Sequence, residues 1–229
     1  PLVSNRNHCI AFPDWSTTPG VQSAHGIRFD TNYYYWPASW VQDRPGMFTG
    51  SGIPMRFAKL DGTIVDCYQA VTQMPDEAGE TFPAFCDALL DRAQGPEGYY
   101  GVFTTNMHFD QASHAGSDAV VASAQARGVP VVSSQQMLTW LDGRNGSSFA
   151  GLTWAGNQLS FSIAVGAGAR NLRAMLPLAG TVGQLATLTR DGNAVAFTTE
   201  TIKGIAYAFF PADAGSYAAT YAVDSAPPV

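Results

Sequence analysis

Residues 98–110, GYYGVFTTNMHFD, run from an apolar and aromatic segment directly into polar chemistry. Bulky residues at 99–103 suit a buried strand. Asn106, His108 and Asp110 follow at alternate positions, so a strand would turn all three side chains to one face of its end. One of only four histidines in the chain stands at this junction. Such an ending is what a parallel sheet or a (β/α) barrel presents, because functional side chains collect at the carboxyl ends of its strands.

Working outward, the flanking sequence alternates strand and helix patterns, the signature of parallel pairing. HCIAF (8–12) reads as a strand. STTPGVQSAHG (16–26) reads as a helix, with Ser16 or Thr17 as N-cap and Pro19 early in the first turn. Strands are predicted over 27–35, 64–73 and 129–134, and helices over 81–94, 117–128 and 135–143. A Gly/Asn/Ser cluster, WLDGRNGSSF (140–149), then marks a linker. Beyond it the pattern becomes short strands separated by turn signals such as AGNQ and RDGN. About seven such strands fit an antiparallel sandwich of immunoglobulin or fibronectin type. The fold expected is therefore α/β: a partial (β/α) barrel over residues 1–146, then an antiparallel β-sandwich over 147–229. The second part serves as a support or faces carbohydrate.

Composition narrows the function classes. The chain is 46% hydrophobic and 13% charged, with formal net charge −6 and pI near 5.0. That balance, with no basic patch, argues against nucleic acid as a partner. No apolar run approaches the roughly 18–20 residues a membrane helix needs. Cys9, Cys67 and Cys86 lack paired spacing; buried thiols and one disulfide plus a free thiol both fit. HExxH, HxxxH, paired CxxC and GxSxG motifs are all absent from the sequence.

The candidate chemistry lies at strand ends. His108 could move a proton or bind a metal, or simply be hydrogen-bonded in place. Arg28 and Asp30 share parity on their strand, so they form either an orienting pair for a site or a structural ion pair. Tyr33, Tyr35, Trp36 and Trp40 lie in the aromatic stretch TNYYYWPASW (31–40), which could stack on sugar rings at a barrel rim or fill a core. His25 fits a helix C-terminus, His114 a solvated loop, and His8 has no assignable role. Asp66, Asp76 and Glu77 add carboxylates near a further strand end.

Taken together, HGIRFDTNYYYWP, GSGIPMRF, DCYQAVTQMPDE, GPEGYYGVFTTNMHFD and VVASAQARGVPVVSSQQMLTW resemble the C-terminal portion of bacterial polysaccharide deacetylase-like proteins, over most of residues 5–146. The resemblance implies a distorted (β/α) barrel in which zinc or another divalent metal activates water against an N-acetyl carbonyl. It implies His108 as general acid and Arg28 as the arginine that orients the base, although Arg-Phe-Asp stands where the family carries Arg-Pro-Pro. The family's Asp-Asp and HxxxH strands have no counterpart here, so a missing N-terminal barrel segment of the same protein is expected to supply the metal ligands. The function expected is that of a secreted protein hydrolysing N-acetyl groups of an extracellular polysaccharide. Two alternatives stay open. One is a glycoside hydrolase using two of Asp30, Asp66, Asp76, Glu77 and Asp110. The other is a non-catalytic glycan-binding module.

Overall fold

The computed structural model describes residues 2–7, 14–32, 52, 54–75, 83–98, 101–108 and 114–222. The chain divides into two compact units, Pro1–Leu138 and Thr139–Val229.

In the first unit, Asp14 opens helix α1 (Thr17–Ala24). Its Oδ1 accepts from the backbone N–H groups of Ser16 and Thr17, both at 2.7 Å, and its Oδ2 accepts from the Thr17 hydroxyl. These bonds satisfy donors that a helix start leaves unpaired. Strands β1 (Ser4–Asn5), β2 (Phe29–Asp30), β3 (Met55–Ala58) and β4 (Ile64–Gln69) form one sheet in the order β1-β2-β4-β3. β1, β2 and β4 run parallel, with Asn5 beside Asp30 and Asp30 beside Gln69. β3 and β4 form an antiparallel hairpin. Its turn passes through Gly62 at φ +84°, and Asp61 Oδ1 accepts from Thr63 N at 2.9 Å. A second, two-stranded parallel sheet pairs β5 (Thr72–Pro75) with β6 (Thr104–Asn106).

Helices α2 (Ala84–Gln94) and α3 (Ala115–Ala126) complete the unit. Met74, Phe85, Cys86, Leu89, Leu90 and Ala124 form one buried cluster. At its margin Arg127 binds Asp91 at 2.6 Å and Asp87 at 2.7 Å, and the Ser123 hydroxyl donates to Asp87.

The expected (β/α) barrel is not what forms. Among the described residues 40% are in strands and 24% in helices, the sheets are curled with antiparallel pairing, and no barrel is evident. Three local features carry this correction. The Asp61-Gly62 turn folds β3 directly back on β4 as an antiparallel hairpin, a pairing that a run of parallel strands does not contain. The single strand predicted over 64–73 is two strands, β4 and β5, which belong to different sheets. Residues 129–133 form no strand: Pro130 has no N–H to donate, and Val131 and Val132 stay exposed.

Helix α4 (Ser134–Asn145) carries the boundary between the units. Within the second unit Gly143 meets the loop at 167–169 so closely that an added Cβ would lie 2.2 Å from Ala169 N. The strands that follow are β7 (Ser148–Ala155), β8 (Gln158–Ala164), β9 (Arg173–Pro177), β10 (Ala179–Gly180), β11 (Gly183–Arg190), β12 (Asn193–Ala194), β13 (Thr198–Ile202), β14 (Ile205–Pro211) and β15 (Gly215–Ala222). One antiparallel sheet has the order β10-β11-β15-β8-β7 with β12 on β11, and the other the order β13-β14-β9. Alternation does the sorting. Phe161 and Ile163 of β8, Leu188 of β11, Phe210 of β14 and Tyr217 and Tyr221 of β15 enter one shared core. Burial of such side chains contributes roughly 1.5–3 kcal/mol each. The two tyrosines keep their hydroxyls satisfied, on Asp213 O at 2.7 Å and Pro177 O at 2.9 Å.

Candidate functional site

The carboxyl ends of β1, β2 and β4 hold an unusual concentration of buried polar side chains. Gln22, Asp30, Asn32, Thr72 and Gln73 are each 5% exposed or less. Buried polar groups are tolerated only when hydrogen-bonded. Thr72 bonds the Thr31 carbonyl and Gln73 lies apart beside Thr104, while Gln22, Asp30 and Asn32 form one continuous set. Asp30 is its centre. Oδ2 accepts from Gln22 Nε2 at 2.7 Å and from Asn32 Nδ2 at 2.8 Å, while Oδ1 accepts from the Asn32 backbone N–H at 2.8 Å. The Cys67 thiol donates to Gln22 Oε1 at 3.5 Å, which orients that carboxamide with its amino group toward Asp30. Asn32 Oδ1 in turn accepts from Asn7 N at 2.6 Å, tying the end of β1 to the end of β2. Thr72 donates to Thr31 O at 2.5 Å.

Burial pushes the Asp30 carboxyl above its ordinary value, against the lowering effect of the bonds from Gln22 and Asn32. Burial also lifts the Cys67 thiol to about 12, with the Asp30 and Asp66 carboxylates adding to the effect. Cys67 is therefore a neutral donor at physiological pH and no nucleophile.

Gln22 separates this network from a cavity of about 380 Å³, lined by Asn5, Asn7, Thr17, Thr18, Gln22 and His25 together with Val21 and Ile27. Asn5 Nδ2 donates to Asn7 Oδ1 at 2.5 Å, so the carboxamides on its wall are mutually oriented. Among the described residues of the lining there is no Asp, Glu, Lys or Arg.

The structure separates residues that the sequence grouped. Arg28 forms a two-bond pair with Asp66, Nε to Oδ2 at 2.7 Å and Nη2 to Oδ1 at 2.9 Å, and this holds the Asp66 carboxyl below its usual range. Asp30 turns instead to Gln22 of α1 and to Asn32. Asp66 is about half exposed and Asp30 is 2% exposed, so these carboxylates occupy unlike surroundings with separate partners. Asn106 ends β6, in register with Pro75, and the half-buried His108 follows two residues later. Asp110, Tyr33, Tyr35, Trp36, Trp40, Asp76, Glu77, His8 and Cys9 lie outside the described residues. Cys67 and Cys86 are buried free thiols.

A divalent metal needs three or more converging donors. Among the described residues no three His, Cys, Asp or Glu side chains converge; His8, Cys9, Asp76, Glu77 and Asp110 lie outside them. No helix among the described residues is long and apolar enough to cross a membrane.

Sequence reading reached Asp30 at a strand end and read Cys67 only as a thiol that could be buried, but passed over Gln22, Asn5 and Asn7. Gln22 sits on a helix whose polar and apolar residues do not separate cleanly, so nothing local marks it as buried. Comparison with family models, with curated proteins and with solved structures gives no match, and nothing in them identifies a deacetylase family.

Proposed function

We propose that the first unit binds a neutral, hydroxyl-rich ligand of carbohydrate type in the cavity at the ends of β1 and β2. One observation carries this reading: among the described residues of the cavity wall, the polar groups are carboxamides, hydroxyls and the His25 imidazole, with no carboxylate, ammonium or guanidinium. Carboxamides both donate and accept, as sugar hydroxyls do. Val21 and Ile27 supply apolar patches for the C–H faces of a sugar ring. An extracellular polysaccharide is the natural source of such a ligand, and secretion belongs to the same proposal.

Titration of the full chain with short chito-oligosaccharides tests the reading. Thr18→Arg puts a long cation into the cavity from a half-buried helix position and should weaken binding at this site at least tenfold. Unchanged binding by a folded Thr18→Arg protein would overturn the proposal.

A further inference from the structure

The cavity of the first unit is lined from two sides, and one carboxylate that does not line it holds both. Asn5 and Asn7 line it from the end of β1, and Thr18, Gln22 and His25 from α1 and its C-cap. Asp30 is 2% exposed and stands behind Gln22. Its Oδ2 takes the Gln22 amino group at 2.7 Å, which fixes the α1 side. It takes the Asn32 backbone N–H and the Asn32 amino group, both at 2.8 Å, so the Asn32 oxygen is left for Asn7 N at 2.6 Å. That bond fixes the β1 side.

All three bonds reach Asp30 from donors. An ionised carboxylate is acceptor-only and satisfies every one of them. A protonated carboxyl has a hydrogen to give and meets donors at each of these bonds. An asparagine has a single oxygen and does no better. With its amino group at the Oδ2 place, Gln22 and Asn32 must both turn their carboxamides, and the Asn32 amino group then opposes the Asn7 N–H. With its amino group at the Oδ1 place, it opposes the Asn32 backbone N–H, which cannot turn. Either change therefore passes to Gln22 or Asn7, the residues that face the cavity.

Resting on the ligand reading above, we propose that Asp30 is a positioning residue for this cavity, whose ionised carboxylate sets Gln22 and Asn7 in the arrangement that accepts the ligand. Binding of a neutral sugar then depends on pH through the protein alone. Burial raises the Asp30 carboxyl above its ordinary value, so it takes up its proton at a higher pH than a free aspartate. Affinity is present above the folded-state pKa and lost as pH falls through it. The other groups around the network have separate roles. Cys67 of β4 stays neutral, with its thiol lifted to about 12. Arg28 and Asp66, on β2 and β4, bond to each other. Arg6 follows β1, and His25 stands on the cavity wall. Ionisation of Asp30 opposes folding while it orders the binding wall, a division of stability from function that buried site residues commonly show.

The test is calorimetric titration of the full chain with chito-oligosaccharide from about pH 7 down to about pH 4, with circular dichroism at each pH. The unaltered chain should lose affinity progressively toward the acid end while still folded. His25→Gln, whatever its own affinity, should lose it over the same range. Asp30→Asn should bind about tenfold more weakly at neutral pH and change no further as pH falls. Constant affinity of the unaltered chain across the range overturns the proposal, and does so even where Asp30→Asn fails to fold. It is also overturned by a folded Asp30→Asn protein that binds as the unaltered chain does, or by an acid loss that disappears in His25→Gln. Absence of binding, or binding that a folded Thr18→Arg protein retains, removes the ligand reading and this role with it. Binding that Thr18→Arg weakens and Asp30→Asn does not removes this role alone.

Discussion

The two units solve the problem of an interior in opposite ways. Every buried polar side chain among the described residues (Gln22, Asp30, Asn32, Thr72, Gln73 and Ser123) lies in the first unit. The second unit buries aliphatic and aromatic side chains, and its tyrosine hydroxyls reach backbone carbonyls at the margin. Apolar burial is non-directional and tolerant, whereas a buried polar network stabilises only while every member is satisfied. The first unit therefore keeps a polar network inside, at strand ends, whereas the second keeps its interior apolar.

The contrast can be broken by substitution. The largest effect is expected in the second unit. Phe210 is fully buried, and Phe210→Ala should cost about 3–5 kcal/mol in denaturant unfolding through lost transfer energy and the cavity left behind. A loss below about 1 kcal/mol would mean that this core collapses around the gap as a well-packed core does not.

Asp30 comes next. Asp30→Ala leaves Gln22 Nε2 and two Asn32 donors without an acceptor, and at about 1–3 kcal/mol for an unsatisfied buried group it should destabilise the chain clearly. The pH dependence sharpens this. Burial raises the Asp30 pKa in the folded chain above 3.8, so folding favours the protonated form. Its contribution is fully present below the unfolded-state value and is lost as pH rises through the folded-state pKa. Stability of the unaltered chain relative to Asp30→Asn should therefore fall as pH increases from about 3 toward neutrality. A flat difference would show that Asp30 ionises in the network as readily as in water.

The smallest effect belongs to Arg28. Its bonds to Asp66 lie at a partly exposed surface, so Arg28→Met should cost less than about 1 kcal/mol and matter less at high salt. It should leave oligosaccharide binding unchanged, since Arg28 does not line the cavity. A large loss of binding would return Arg28 to the site that strand parity suggested.

How much was legible differs between the units for a physical reason. In the second, QLSFSIA and GSYAATYA alternate so regularly that core and surface residues can be assigned from the pattern, and Phe161, Ile163, Tyr217 and Tyr221 are where alternation puts them. Its strand pairings are antiparallel, and tight turns such as Asp191-Gly192 are written locally. In the first unit the same reading extended a strand through 64–73, because nothing local shows that Ala70 and Val71 separate two sheets. The Asp61-Gly62 pair is a local hairpin signal that the sequence reading did not use. A resemblance in the order of elements then supported a barrel that the pairing of β3 with β4 does not allow.

Residue periodicity determines which side chains of this protein face inward, because the periods of strand and helix are properties of the backbone alone. Local turn chemistry likewise determines where the chain reverses in the second unit. The assembly of Asn7, Gln22, Asp30, Asn32 and Cys67 into one network is of another kind, since the members come from α1, β2, β4 and the segments just after β1 and β2, and are as far apart as Asn7 and Cys67 in the chain. Only the parallel register of three strands, with α1 packed against them, brings those groups within hydrogen-bonding distance. Burial then turns an ordinary aspartate into a carboxyl that holds its proton more tightly than the unfolded chain would.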